Sequence, residues 1–330
     1  MQYRMLGKTG IRVPEIGFGC GNVGGAIIRG THEQQVAAVQ HALSLGIDYF
    51  DTAAQYGNGL SEQHLGEVFA ELKPEIHVAT KVRVAGDGTK DINGTIRKSI
   101  EESLTRLQRD SVDLLQLHTN VFDNDDGQGI HVTDVLRKGG VADTLDALQA
   151  EKMIGHRGFT GMGDTDAIHR VVDSYRFDTV QTYYNLINPT AGVVVPGGFV
   201  CQDYRQIIDN ASGKGMGVIV IRSLAGGAVS GPVRAELASE KPGGVMATGN
   251  DYESDLRRAE ALKFLATTDH NIAQASVRFA LDDDKVNVVL VGFSDIGQID
   301  QAASVSGGAR LSAAEMETME RLWASDFEVA

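Results

Sequence analysis

Four side chains capable of acid–base chemistry stand at or just beyond short apolar runs in this 330-residue chain. Asp51, Lys81 and His118 each come at the end of such a run, and Tyr56 lies five residues after Asp51. Taken singly, residues of these types are more often caps, packing residues or solvated charges than catalysts. Together they answer one chemical need, so we expect them to share a site.

That need is the reduction of a carbonyl by hydride, or the reverse oxidation of an alcohol. The oxygen that becomes negative must receive a proton, and a free phenol, with a pKa of about 10, is a reluctant acid–base catalyst at neutral pH. A nearby ammonium stabilises the phenolate, and Lys81 can supply it if the carboxylate of Asp51 holds it in place. A neutral imidazole at His118 can hydrogen-bond the carbonyl and orient it.

Strand-like and helix-like segments alternate along the chain and must position these residues. Most strand candidates are short and apolar, as in parallel strands that are covered on both faces. They are 16–20, 48–51, 77–80, 113–117, 157–160, 179–181, 218–221 and 288–291. Eight βα units favour a closed (β/α)8 barrel over an open doubly wound sheet, and its strand ends would converge on one rim. No linker interrupts the chain, so residues 1–330 are predicted to form a single domain.

The helices carry local signals of their own. Thr31 and Gln34 predict a capping box at the start of the first helix, and Gly46 is placed to end it. An apolar stripe predicts a second helix that includes residues 96–107. Another stripe predicts one further helix and is formed by Leu136, Leu145, Leu148 and Met153.

Segments outside the βα repeat are predicted at both ends of the barrel. Residues 3–13, with a turn at 7–10, read as an N-terminal β-hairpin that plugs the barrel bottom. Three long connections, 119–133, 185–198 and 223–252, each follow a strand and so rise on the C-terminal face, where barrel active sites form. The third is rich in glycine and fits an ordered lid and a disordered surface loop equally well.

The chain resembles the aldo/keto reductases over nearly its full length. The likeness is carried by LGKTG at 6–10, IGFG at 16–19, GIDYFDTA at 46–53 followed by Tyr56-Gly57, SEQHLG at 61–66, the strand ending in Lys81, VDLLQLH at 112–118, Gln181 with Tyr184-Asn185, and ASVRFA at 275–280. The resemblance implies a (β/α)8 barrel, an NAD(P)(H) cofactor and a catalytic tetrad of Asp51, Tyr56, Lys81 and His118. Tyr56 would be the general acid/base.

The same resemblance implies a set of cofactor-binding residues: Thr160, Gln181, Arg222, Ser223, Leu224, Gly292, Ser294, Asp295, Gln298 and Gln301. Thr160 and Gln181 match positions that hold the nicotinamide carboxamide, whereas Gly161 replaces a family asparagine. Residues 221–224 read Ile-Arg-Ser-Leu where many members have Tyr-Ser-Pro-Leu, so the aromatic platform is missing unless another ring supplies it. Arg222 is expected near the pyrophosphate, or else paired with a carboxylate.

The choice of nucleotide depends on the segment after the last strand. NADP-preferring members commonly place a Lys or Arg there for the 2′-phosphate, and this chain has Ser294 and Asp295. A carboxylate would repel that phosphate but accept from a ribose hydroxyl, so NAD or dual use is favoured over strict NADP. Arg278 reaching round to the phosphate is the alternative.

Within the family, the segments 17–25 and 158–161 look most like sugar dehydrogenases that act on aldoses. An aldose or a small aldehyde is therefore the expected substrate. The alternative within enzymes is a general NADPH-dependent aldehyde reductase, and outside enzymes a nucleotide-binding regulatory subunit with the same barrel and little turnover. A metal-dependent hydrolase finds no supporting ligand spacing, so no metal site is predicted. Substrate, direction and oligomeric state stay open.

Composition bounds the remaining partners. Thirty Lys+Arg against 44 Asp+Glu give a formal charge of -14, which disfavours nonspecific binding to nucleic acid or anionic membranes. Cys20 and Cys201 are too few for a disulfide framework. No signal-peptide core and no run of about 18 apolar residues is present, so a cytoplasmic location is expected.

Overall fold

Eight parallel strands close into a barrel. The computed structural model describes residues 1–124, 129–231, 237–238, 252–268 and 270–328. Its strands are β1 (Tyr3–Met5), β2 (Arg12–Pro14), β3 (Ile16–Gly19), β4 (Tyr49–Asp51), β5 (His77–Val82), β6 (Val112–Leu117), β7 (Val121–Phe122), β8 (Ile130–His131), β9 (Ile154–Thr160), β10 (Thr179–Tyr183), β11 (Gly217–Ile221) and β12 (Val288–Gly292). The barrel order is β3-β4-β5-β6-β9-β10-β11-β12, with β12 pairing back to β3. The predicted (β/α)8 barrel is confirmed.

Helices cover the outside of the barrel. They are α1 (Ala26–Arg29), α2 (His32–Ser44), α3 (Leu60–Leu72), α4 (Ile92–Leu107), α5 (Val132–Leu136), α6 (Val141–Ala150), α7 (Thr165–Asp173), α8 (Ile207–Gly213), α9 (Tyr252–Ala261), α10 (Ile272–Leu281), α11 (Ile296–Ala303) and α12 (Ala313–Ala324). Short 3-10 turns cover Tyr56–Gly59, Gly86–Thr89, Ala225–Gly227 and Lys263–Leu265. No helix in the described ranges is long and apolar enough to cross a membrane.

The helix predictions that rest on residues within one turn of the chain are confirmed. Thr31 and Gln34 form the predicted capping box of α2, and Gly46 follows its end with a φ of 82°. The prediction of one helix from the stripe Leu136 to Met153 was wrong. Helix α5 ends at Leu136, α6 ends at Ala150, and Met153 lies beyond both. Gly139 separates the two helices with a φ of 70°, a conformation that interrupts a right-handed helix.

The barrel encloses a small apolar core of its own, closed at one end by the N-terminal hairpin. Strands β1 and β2 pair antiparallel, as predicted. Leu6 and Val13 from this hairpin are fully buried with Tyr49, Ala79 and Leu114 from the barrel interior. An added Cβ on Gly7 would lie 2.3 Å from the backbone nitrogen of Gly217, where β11 begins. The hairpin therefore packs against the strand beginnings and leaves the strand ends open.

The three long connections have different outcomes. Within 119–133, β7 and β8 form a two-stranded parallel sheet and α5 begins. Within 185–198, Asn185 and Asn188 are buried, and their side-chain carbonyls accept from backbone N–H groups. Most of 223–252, the predicted lid, lies outside the described residues. Its described start, 223–231, lines the cavity discussed below at several positions.

Candidate active site

Inward-facing positions of neighbouring strands bring the predicted tetrad together. Because side chains alternate along a strand, residues two apart share a face. Tyr49, Ala79 and Leu114 point into the barrel core, and two positions later the chain has Asp51, Lys81 and Gln116. Two positions beyond Gln116 is His118. Polar groups therefore replace apolar ones towards the carboxyl ends of β4, β5 and β6.

Lys81 and Asp51 form a buried ion pair. Their side chains are 1% and 4% exposed, so solvent cannot stabilise either charge. Burial lowers the pKa of Lys81, but the Asp51 carboxylate and Tyr56 raise it by more, and its pKa lies above the usual value. Lys81 is therefore a permanent ammonium at physiological pH.

The ammonium of Lys81 has three hydrogens and three acceptors. Nζ donates to the Asp51 carboxylate, to the carbonyl of Thr52 at 2.7 Å and to the hydroxyl of Tyr56 at 3.3 Å. An ammonium carries three donors and no acceptor, so its capacity is filled. The oxygen of Tyr56 is thus the acceptor in this contact, and its own hydrogen remains to be donated elsewhere.

The turn after β4 places the ring of Tyr56. The backbone N–H of Tyr56 donates to the carbonyl of Ala53 at 3.0 Å. The next N–H, that of Gly57, donates to Oδ1 of Asn22 at 2.9 Å. Gly57 has a φ of 59°, which glycine adopts without strain. Nζ of Lys81 lies 4.7 Å from the centroid of the Tyr56 ring.

His118 faces the same ring and is neutral. The rings of Tyr56 and His118 meet edge to face, with centroids 5.8 Å apart. Burial, together with the charges of Lys81 and Arg83, lowers the pKa of His118 to about 3. Nδ1 lies 3.0 Å from Oε1 of Gln55, a residue that the sequence reasoning did not select. We refer to the predicted tetrad of Asp51, Tyr56, Lys81 and His118 as the catalytic cluster, after its predicted role.

The second oxygen of Asp51 is held by two glutamines. Gln116 and Gln181 donate to Oδ2 at 3.0 Å and 2.7 Å. Gln181 lines the cavity as well as bonding to Asp51, and its predicted role towards the nicotinamide carboxamide stays a prediction. Gln116 was missed, although its place two residues before His118 on an inward face was a usable signal.

The residues expected around a nicotinamide lie at the ends of β9 to β11. Thr160 is buried and its hydroxyl donates to the carbonyl of Leu117 at 3.0 Å. Ser223 is buried, and its carbonyl accepts from Ser276. Ser223 and Leu224 line the cavity, whereas Thr160 is not among its lining residues. A role for Thr160 towards the carboxamide stays a prediction.

Arg222 contacts an aromatic ring that the sequence reasoning overlooked. Its guanidinium carbon lies 5.3 Å from the centroid of Tyr183 and the two side chains hydrogen-bond. Tyr183 pairs in register with Ile221, the residue that replaces the family's aromatic platform. Tyr183 lines the cavity as Ile221 does. The ring beside the missing platform therefore comes from the neighbouring strand.

The far part of the cavity is formed around the start of α11, and we call Ser294, Asp295, Gln298 and Gln301 the α11 rim. Asp295 is the N-cap and accepts from the N–H of Gln298 at 2.9 Å. The N–H of Ser294 donates to the side chain of Gln298 at 2.8 Å, and its hydroxyl donates to Gly24 at 2.6 Å. Gln301 accepts from Asn271, the N-cap of α10, at 3.0 Å.

Glycines let the loop after β3 approach the α11 rim. An added Cβ on Gly24 would lie 2.5 Å from the backbone of Gly292 and Phe293, so no side chain fits there. Gly292, at the end of β12, was a predicted cofactor residue and lines the cavity. Arg278, the alternative phosphate ligand, is engaged elsewhere, because its guanidinium binds Asp282 at 2.7 Å and the carbonyl of Val305 at 3.2 Å.

One cavity joins the catalytic cluster to the α11 rim. Its volume is about 1560 Å³, and it is lined by Asp51, Tyr56 and His118 as well as by the rim residues. Pockets for a single small ligand are typically about 300–1,000 Å³, so this one has room for a dinucleotide beside a small substrate. A helix N-terminus and backbone-exposing glycines at one end are also a suitable donor set for phosphate.

Comparison with known proteins supports the resemblance to the aldo/keto reductases noted from the sequence. The model of the aldo/keto reductase family matches residues 15–324. The chain is 28% identical to L-galactose dehydrogenase of Arabidopsis thaliana over 308 residues, which cover 91% of this chain and 86% of that protein.

Solved structures share the fold. The holo form of an aldo-keto reductase from Bacillus halodurans matches with a TM-score of 0.72 at 22% identity, covering 98% of this chain and 96% of that one. An aldo/keto reductase from Klebsiella pneumoniae, in complex with NADP and acetate, matches with a TM-score of 0.68 at 19% identity and the same coverage. With the family match over residues 15–324, these findings show that the chain belongs to the aldo/keto reductase family of oxidoreductases.

Proposed function

We propose that this protein transfers hydride between a nicotinamide cofactor and a carbonyl or alcohol substrate, with Tyr56 as the general acid/base. The observation that carries the proposal is the filled donor set of Lys81, which makes the Tyr56 oxygen an acceptor at 3.3 Å. The phenolic hydrogen is thereby directed away from Lys81 and is available to a substrate oxygen in the cavity that Tyr56 lines.

In the proposed reaction each member of the catalytic cluster has a separate task. A bound nicotinamide would supply or accept the hydride, and Gln181, Arg222 to Leu224, Gly292 and the α11 rim would hold the dinucleotide. Tyr56 gives its proton to the carbonyl oxygen, and the ammonium of Lys81 stabilises the phenolate that remains. Asp51 keeps that ammonium in place, while neutral His118 hydrogen-bonds the same oxygen and orients the carbonyl.

An aldose is the substrate class we propose, with a small aldehyde as the alternative. Support comes from the similarity to L-galactose dehydrogenase, which extends over 91% of this chain. The cavity is also lined by the side-chain amide of Asn22, a group that can bind a sugar hydroxyl.

For the nucleotide we propose NAD or dual use. The exposed carboxylate of Asp295 stands at the first turn of α11, and residues 294–298 include no Lys or Arg. Arg278, the alternative cation, bonds to Asp282, which supports the same preference. A carboxylate at this place would oppose a 2′-phosphate by like-charge repulsion.

Replacing Tyr56 by Phe tests the proposed chemistry. We expect kcat to fall by about 10²–10⁴, because the proton donor is lost, while the Kd for the nucleotide stays unchanged. Tyr175→Phe is the matched control, since Tyr175 is 70% exposed on the surface. Retention of full turnover by Tyr56→Phe would overturn the assignment of the general acid/base.

A substrate panel then separates the proposed reaction from its alternatives. Aldose oxidation with NAD and aldehyde reduction with NADPH are followed at the nicotinamide absorbance, each in both directions. Preferred aldose oxidation supports the sugar dehydrogenase, and preferred aldehyde reduction points to a general reductase. Nucleotide binding without turnover of any panel member would favour the regulatory subunit.

A further inference from the structure

Gln55 contacts the catalytic histidine from the turn that also carries Tyr56. Its Oε1 lies 3.0 Å from Nδ1 of His118. The backbone of Gln55 is fixed, because its carbonyl accepts from the N–H of Asn58 at 3.2 Å. One turn therefore presents consecutive residues to two members of the catalytic cluster, Tyr56 to Lys81 and Gln55 to His118.

The contact matters because a neutral imidazole has a single proton. His118 is hydrogen-bonded through Nδ1, and Nε2 has no protein partner within the described ranges, so Nε2 is the nitrogen left for the substrate in the cavity that His118 lines. The charges near the ring, Lys81 and Arg83 from β5 and the residue after it, disfavour a second proton. The nitrogen that carries the proton then decides whether Nε2 donates or accepts.

A glutamine amide can support either form. When Oε1 accepts, Nδ1 carries the hydrogen and Nε2 offers only a lone pair to the cavity. When the amide is turned over, its N–H donates to Nδ1, and the ring proton resides on Nε2. Only this second form can donate a hydrogen bond to a carbonyl oxygen.

We propose that Gln55 is a positioning residue that sets the ring orientation and the tautomer of His118. With a carbonyl in the cavity, the Gln55 amide donates to Nδ1 and keeps the proton on Nε2. In the structure the amide has the other orientation, with Oε1 3.0 Å from Nδ1. The inference rests on the proposed function of His118, but its central claim concerns the location of one proton.

Two substitutions test the catalytic consequence. Gln55→Met keeps the side-chain length and removes both hydrogen-bonding modes, so we expect kcat for carbonyl reduction to fall about tenfold with an unchanged nucleotide Kd. Gln55→Glu supplies an acceptor with a negative charge, which favours imidazolium and adds a titration to the pH profile of kcat that the wild type lacks. Gln63→Met is the control, because Gln63 is exposed on α3 and bonded to Glu67.

Nitrogen NMR tests the proton location without any turnover. In protein with ¹⁵N-labelled histidine, the His118 signals are those lost in His118→Asn. We expect one dominant neutral tautomer in the wild type and an averaged mixture in Gln55→Met. Identical ¹⁵N shifts in the two proteins, or an unchanged kcat in Gln55→Met, would overturn the proposal. A wild type that shows one tautomer but turns over no substrate would instead refute the proposed function.

Discussion

The catalytic cluster and the α11 rim lie on one cavity but are built differently. In the cluster, the Lys81 ammonium bonds to the side chains of both Asp51 and Tyr56, and the Lys81–Asp51 ion pair is 1% and 4% exposed. At the rim, Asp295 is exposed, and its carboxylate bonds to an N–H three residues away. The position of the Asp295 carboxylate therefore depends on local helix capping, whereas the cluster depends on closure of the barrel.

Because of this difference, substitutions in the cluster and at the rim should have different consequences. A change in the cluster leaves a buried charge without its partner and so affects both folding and chemistry. A change at the rim that preserves capping alters the charge offered to a nucleotide and little else. Three predictions can break or sharpen this comparison, and they follow from the largest expected effect to the smallest.

The largest effect is expected from separating the Lys81–Asp51 pair. Asp51→Asn leaves the ammonium buried with a neutral partner, and we expect the free energy of unfolding to fall by about 3 kcal/mol with nearly complete loss of turnover. Adding Lys81→Met should restore at least half of that stability and none of the turnover. Urea unfolding of the single and double variants measures this.

The control for the buried Lys81–Asp51 pair is an ion pair on the surface. Lys90→Met breaks the ion pair between Lys90 and Asp87, whose side chains are 81% and 92% exposed. The free energy of unfolding should therefore change little. If the double variant is no more stable than Asp51→Asn, the buried charge is not the source of the cost.

A smaller, pH-dependent effect is expected from His118. Its pKa is about 3 in the folded protein, against about 6.5 for an unperturbed histidine. Below pH 6.5 the unfolded chain therefore binds a proton that the folded chain refuses, so the native state loses stability as the pH falls towards 3. Between pH 7 and 4.5 we expect the wild type to lose about 2 kcal/mol more than His118→Asn, measured by urea unfolding at both values. Equal losses in the two proteins would contradict the depressed pKa.

The smallest effect on stability is expected at the rim. Asp295→Asn retains a good N-cap residue but removes the charge, so the free energy of unfolding should change by no more than a few tenths of a kcal/mol. The ratio of kcat/KM for NADP to that for NAD should rise about fivefold, which corresponds to about 1 kcal/mol of relieved repulsion. Asp300→Asn on the same helix, whose carboxylate binds His41, is the control and should leave the ratio unchanged. An unaltered ratio in Asp295→Asn would show that this carboxylate does not face the 2′ position.

Much of the fold was predictable because its signals are local. The strand candidates overlap all eight barrel strands, since buried parallel strands read as short apolar runs. Thr31 and Gln34 identified the start of α2 because both lie within one turn of it. The stripe through Leu136 and Leu145 failed because the turn at Gly139 interrupts the helix without disturbing the apolar spacing.

The amino-acid sequence by itself determined the barrel strands, the hairpin and the residue types of the catalytic cluster, since alternation and motif spacing are properties of neighbouring residues. Only the tertiary structure decided the partners. Gln116 and Gln181 reach Asp51 across 65 and 130 residues, and Gln55 reaches His118 across 63. The pairing of Arg222 with Tyr183, and the depressed pKa of His118, likewise depend on which strands adjoin and how deeply each group is buried. Barrel closure sets those contacts, and no local pattern encodes their distances.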